Sequence, residues 1–195
     1  MPEASDQNLE AATHAIRAAA DHPETLSEYV ALLERACRDH PDSAEFAYRL
    51  AAELQSSAPT RALELARRTI DHEHDNPGTL INAGEILCSA GDVDGALLAA
   101  KRAYLLVDTE PIHEAAGSLM YLYGVIAGRR GMTAEMLECF EAAFDWDPTH
   151  RTFGFMLATV LRVDGDEERA QRAAQRALQG RPGDARLTEF LAERT

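Results

Sequence analysis

The chain nearly repeats itself every 34 residues, and that period constrains its fold more than any other feature. Setting GMTAEMLECFEAAFDWDP (131–148) against GDEERAQRAAQRALQGRP (165–182) brings Gly, small residues and Pro into register. A period of this length belongs to stacked supersecondary repeats, each of which buries its apolar face only against its neighbours. No segment sustains a period-2 alternation of apolar and polar residues, so no strand is expected. The expected fold is all-α.

Helix boundaries follow from local chemistry. Pro23, Pro41, Pro77, Pro111, Pro148 and Pro182 fall between the expected helices, where a missing N–H costs little. Asp92, Thr133 and Asp166 stand where the second helix of a pair opens and can cap free N–H groups. Thr25 with Glu28, and Asp42 with Glu45, read as capping boxes.

Small and large residues recur at fixed places in the repeats. Met120, Tyr123, Gly124 and Ala127, then Met136, Phe140, Ala143 and Pro148, mark one repeat. Gly154, Leu157, Ala158 and Leu161, then Ala170, Ala174, Ala177 and Pro182, mark the next. Leu80, Ala83, Gly84 and Leu87, then Ala96, Ala100 and Ala103, mark an earlier one, and Ala47, Leu50, Ala51, Leu54, Ala62 and Ala66 another. Tyr29, Leu33, Ala36 and Pro41 hold the second helix of a degenerate first repeat. This pattern resembles the tetratricopeptide repeat (TPR). The resemblance covers roughly residues 9–184 and implies an α–α superhelix of antiparallel helix hairpins. The repeats are expected at 9–42, 43–76, 77–116, 117–150 and 151–184, after a tail at 1–8. Residues 185–195 read as a C-terminal capping helix whose Leu187, Phe190 and Leu191 cover the last repeat. Gly84, Gly124 and Ala158 are the positions where paired helices approach closely.

The period breaks once. Ala62 to Ala96 and Met136 to Ala170 are each 34 residues, whereas Ala96 to Met136 is 40. The six extra residues are expected to lengthen a first helix opening at Pro111 and running to about Arg129, with His113 and Glu114 on the extension. The insertion is either a neutral loop or a lip that narrows a groove.

Composition narrows the function classes. A net charge of −14 argues against nucleic acid, because phosphate neutralisation requires Lys and Arg. Residues 1–42 hold nine acids against three Arg, while residues 151–184 hold five acids against six Arg, so the N-terminal region is the part suited to a basic partner. Of the 19 basic residues only Lys101 is lysine, a bias expected of a GC-rich, bacterial coding sequence. No apolar run reaches the ~18–20 residues of a membrane span. The start, MPEASDQNLE, does not read as a secretory signal. Cys37, Cys88 and Cys139 form no CxxC pair and are expected to be buried thiols of a cytoplasmic protein.

Catalytic signals are weak. No Gly-rich phosphate loop, GxSxG or adjacent Cys–His pair occurs, and no cofactor is implied. His72 and His74 flank Glu73 ahead of Asp75, but i, i+2 spacing puts the two imidazoles on different sides of a helix, so no metal site is expected.

In TPR arrays the first helix of each pair lines the concave surface. On this resemblance the groove residues are Tyr48 and Arg49; Ile81, Asn82, Glu85 and Ser89; Tyr121, Leu122, Val125 and Arg129; and Phe155, Met156, Thr159 and Arg162. The later two sets are more apolar than a solvated face requires, so they either pack between repeats or form a groove for an apolar or aromatic segment edged by Arg49, Arg129 and Arg162. The family's carboxylate clamp is not expected: Asn82 is clamp-like, but Ser118 and Leu122 stand where its cationic partners would be. The expected function is a non-enzymatic scaffold binding a peptide or protein segment, centred on the fourth and fifth repeats. The alternatives are a homodimer joined through apolar first-helix faces, and a ligand or catalytic pocket near His113, Tyr121 and Arg129.

Overall fold

The computed structural model describes Leu9, residues 11–14, Ile16, residues 26–107 and residues 115–193. Regular structure among these residues is helical throughout, without a strand. The helices are α1 (Leu26–Asp39), α2 (Ala44–Leu54), α3 (Pro59–His72), α4 (Pro77–Ser89), α5 (Val93–Val107), α6 (Ala116–Arg129), α7 (Thr133–Trp146), α8 (Phe153–Val163), α9 (Glu167–Gly180) and α10 (Ala185–Ala192). The chain divides into two compact units, Met1–Ala99 and Ala100–Thr195.

In the N-terminal unit α2 packs against α1, α3 and α4, and α3 also packs against α4. The sequence of α2 dictates this, because Phe46, Ala47, Leu50, Ala51 and Leu54 recur at i, i+1, i+4, i+5 and i+8 and are all buried. On α3 the buried set is Ala62, Leu65, Ala66, Thr69 and Ile70. Buried Thr69 satisfies its hydroxyl by donating to the Leu65 carbonyl at 3.0 Å. Pro59 and Pro77 open α3 and α4 at positions where no N–H donor is needed.

In the C-terminal unit packing runs between successive helices from α6 to α10. Large residues sit opposite very small ones. A Cβ on Gly124 would lie 2.6 Å from the Phe140 ring, and one on Gly154 would lie 2.5 Å from Ala177 Cβ. The Ala170, Ala173, Ala174 and Ala177 stripe of α9 joins Phe140, Phe144, Phe153 and Leu157 in one core cluster. At its end α10 buries Leu187 and Phe190, as a capping helix does.

Three tight turns repeat one device. Gly91, Gly131 and Gly165 take φ of 87°, 73° and 91°, a region that favours glycine. The next residue's N–H then reaches back five positions, from Asp92 to Leu87 (2.8 Å), Met132 to Ala127 (3.0 Å) and Asp166 to Leu161 (2.9 Å). This is the Schellman closure of a helix end.

Several expected boundaries shift. Asp92 and Asp166 cap α5 and α9, accepting from the Gly95 and Arg169 amides at 3.0 Å each. Thr133 does not cap α7: it is the first helical residue, behind Met132. The cap of α2 is Ser43, which accepts from Phe46, and not Asp42, which stands one residue too early. The helix of the insertion is described from Ala116. Pro23, Thr25, Pro111, His113 and Glu114 lie outside the described residues.

Candidate binding face

In the N-terminal unit the first-helix residues border a cleft of about 460 Å³ lined by Tyr48, Arg49, Asn82, Glu45 and Thr79, among others. It forms between α2 and the opening of α4. Asn76 Oδ1 accepts from the Thr79 amide at 3.2 Å and caps α4, which orients the wall. Glu73 Oε1 accepts the amides of His74, Asp75 and Asn76 at 3.0–3.1 Å, holding the approach to that helix as a fixed turn.

The charges at the cleft are unequal. Arg49 is held by Glu45, at 3.1 Å and 3.2 Å from Nη2 and Nε. Glu85, one turn beyond Asn82 on α4, makes no hydrogen bond or ion pair with any described residue. Burial alone pushes its carboxyl up to about 6. The neighbouring Tyr48 phenol is likewise pushed up, first by burial, with Arg49 opposing and Tyr29, Glu45 and Glu85 reinforcing. Tyr48 and Asn82 are half-buried and have no hydrogen-bond partner among the described residues. Tyr48 and Asn82 thus line the cleft unengaged among the described residues, and Glu85 lies next to them, outside its wall.

Ile81 lies on α4 beside these groups but is 1% exposed. Its side chain belongs to the core, because position 81 turns inward when 82 and 85 turn outward. Its expected place among groove contacts is corrected accordingly.

The C-terminal unit treats the equivalent face differently. Leu122 is 0% exposed, so it too is corrected from contact residue to core residue. Tyr121 stacks on Phe140 and tilts against Phe153, with centroids 5.5 and 5.6 Å apart. His150 stacks on Phe153 at 3.7 Å, and its imidazole pKa is lowered, chiefly by burial. Phe155 meets Phe190 edge-on and lies under Arg186. Tyr121, Val125, Phe155 and Met156 are partly buried residues packed on the core cluster. The Thr159 hydroxyl donates back to the Phe155 carbonyl at 2.8 Å. Arg162 lies 3.3 Å above the Phe190 ring, donates to the Phe190 carbonyl at 2.8 Å and pairs with Glu167. It ties α8 to α10. Arg129 is exposed at the end of α6.

Elsewhere, a cleft of about 410 Å³ between α7, α8 and α9 carries Arg169, Arg172 and Arg176. These cations are matched by Glu141, Glu168 and Asp145. In the His72–Asp75 string His72 faces Asp42 at 3.9 Å and Glu73 serves the backbone turn. Among the described residues no three His, Cys, Asp or Glu side chains are grouped as a metal site would require. Burial pushes the Cys37 and Cys139 thiols up, so neither is an activated thiolate.

Of the residues chosen by helical spacing, Tyr48, Arg49 and Asn82 line the cleft of the N-terminal unit and Glu85 lies beside it; Glu45, Glu73, Asn76, Gly78 and Thr79, which also line it, were not chosen. Glu45 was legible as the i−4 partner of Arg49. Glu73 and Thr79 reach the cleft only because of how α3 and α4 are joined.

No protein-family model and no curated protein matches the sequence. Solved structures do match the fold. PilF of Pseudomonas aeruginosa superposes with a TM-score of 0.73 at 18% identity, over 96% of this chain and 82% of that one. TTC0263, a thermophilic TPR protein of Thermus thermophilus, gives 0.69 at 18% identity over 96% and 97%. YrrB, described as a TPR protein with an unusual peptide-binding site, gives 0.59 at 16% identity over 91% and 89%. With its helix hairpins, glycine-closed turns and capping helix, the chain has the fold of the tetratricopeptide-repeat proteins.

Proposed function

We propose that this chain is a non-enzymatic scaffold that holds a peptide or protein segment in the cleft bordered by Tyr48, Arg49 and Asn82. The observation that carries this reading is the set of unengaged polar groups there. Tyr48, Asn82 and Glu85 are each partly withdrawn from water without a hydrogen-bond or ion-pair partner among the described residues. Half-buried polar groups normally find partners, and an extended peptide backbone offers both donors and acceptors. The cleft of about 460 Å³ accommodates a few residues of such a segment. That YrrB, of similar fold, is described as having a peptide-binding site supports the same use. The three thiols, none in a disulfide, fit a reducing cytoplasm.

The test is capture of binding partners from lysate by wild type, Asn82→Ala and Tyr48→Ala, each checked for helix content. Loss of the same partners in both variants supports the reading. Full retention in both removes it. Sedimentation at several concentrations separates it from self-association, which would give a dimer whose stability ignores these two substitutions.

A further inference from the structure

We infer that the segment received by this cleft carries a lysine or arginine side chain, and that Glu85 is the residue that selects it. The inference rests on the cleft being a binding site and adds the chemistry of its occupant. The charge around the site sets the sign. The described residues 26–99 hold thirteen Asp and Glu against six Arg, a net of −7. An acidic segment would approach against that field, whereas a basic one would be drawn in by it.

Within the cleft the cation of the protein is already engaged. Arg49 is paired with Glu45 through both Nε and Nη2, so its charge is already matched. Glu85, beside the cleft next to Tyr48 and Asn82, is the opposite case, partly withdrawn from water with no counter-charge among the described residues. A neutral segment laid over it would remove more of its water and return nothing. A segment with an ammonium or guanidinium group would supply the missing partner and a charge-assisted hydrogen bond. The side chains beside Glu85 suit this arrangement. Asn82, one turn back on α4, can hold the backbone on either side of a basic residue, and the Tyr48 ring can cover its aliphatic stem.

The probe is a phage-displayed library of random 12-residue peptides, selected on the full chain and re-screened on Glu85→Gln, Glu85→Lys, Asn82→Ala and Tyr48→Ala. Circular dichroism confirms that each variant is folded. The expected result is Lys or Arg enriched at one position of the selected peptides. Their affinity should drop at least ~10-fold on Glu85→Gln, and selection on Glu85→Lys should turn to Asp or Glu at that position. Peptides that depend on Asn82 and Tyr48 but show no cationic preference, or ignore Glu85→Gln, overturn the inference while leaving the cleft as a binding site. If no selected peptide depends on Asn82 or Tyr48, both readings fall.

Discussion

The two units put the same helical positions to opposite uses. In Met1–Ala99 the first-helix face presents Tyr48, Asn82 and Glu85, polar groups without partners among the described residues, beside a cleft. In Ala100–Thr195 the corresponding positions hold Tyr121, Phe155 and Met156, packed into the unit's own core and cross-braced by aromatic stacking. One face is left incomplete and the other is filled. The difference teaches that apolar residues on a repeat's first helix are poor evidence for a groove. They gain more by packing on their own aromatic neighbours than by waiting for a partner. The unsatisfied polar groups are the better sign, because folding leaves them a desolvation cost that a ligand can offset.

This contrast is open to direct attack. The largest effect should come from Tyr121→Ala, which removes a ring in contact with Phe140 and Phe153 and leaves a cavity. We expect a loss of about 3 kcal/mol in urea unfolding, with peptide capture unchanged in the fraction that stays folded. A loss under about 0.5 kcal/mol would mean that the C-terminal face is not braced and would revive it as a groove.

Next, Arg162→Met should cost about 2 kcal/mol by removing the Glu167 pair and the Phe190 carbonyl bond. Hydrogen exchange should accelerate first in α10, because Arg162 is its tie to α8. Uniform acceleration across the C-terminal unit would instead assign Arg162 a general role in packing.

Glu85→Gln should act in the other direction. Raised from 4.5 to about 6 by burial, this carboxyl holds its proton more tightly in the folded chain than in the unfolded one. Its contribution to stability is therefore neutral below pH 4.5, falls as pH rises through that window, and reaches a penalty of about 2 kcal/mol above pH 7. Glu85→Gln should remove the penalty, raising Tm relative to wild type at pH 8 but not at pH 4. A wild type whose stability does not respond to this substitution at pH 8 would show that Glu85 is solvated, and the cleft would lose its unsatisfied charge.

The smallest stability change is expected for Asn82→Ala, within about 0.5 kcal/mol, because no described residue depends on its amide. A large destabilisation would show that Asn82 serves the fold, and the comparison between the two faces would narrow.

Much of the fold was legible because its determinants are local. Gly91, Gly131 and Gly165 mark turns that need positive φ, and the Ala stripes mark where helices meet closely. Asp166 and Asp92 could be recognised as caps because their carboxylates lie three residues before the amides they bind. Thr133 and Asp42 show the limit of the same rule. A residue with the right side chain fails as a cap when the helix starts one position away, and a one-residue offset is set by packing. The cleft was half legible. Spacing identified Tyr48, Asn82 and Glu85 as sharing an outward face, but it also admitted Ile81 and Leu122, which lie one residue from the edge and turn inward.

The sequence by itself determined the architecture, since a repeated pattern of small residues, glycines and apolar spacing specifies helix hairpins through short-range sterics and burial. Only the tertiary structure decided which first-helix side chains are taken into a core and which are left beside a cleft. Whether Tyr121 meets a partner or Phe140, and whether Glu85 finds a counter-charge, depends on residues tens of positions away or on other helices. Side-chain identity sets what a group can bind, but its place in the packed chain sets what remains for it to bind.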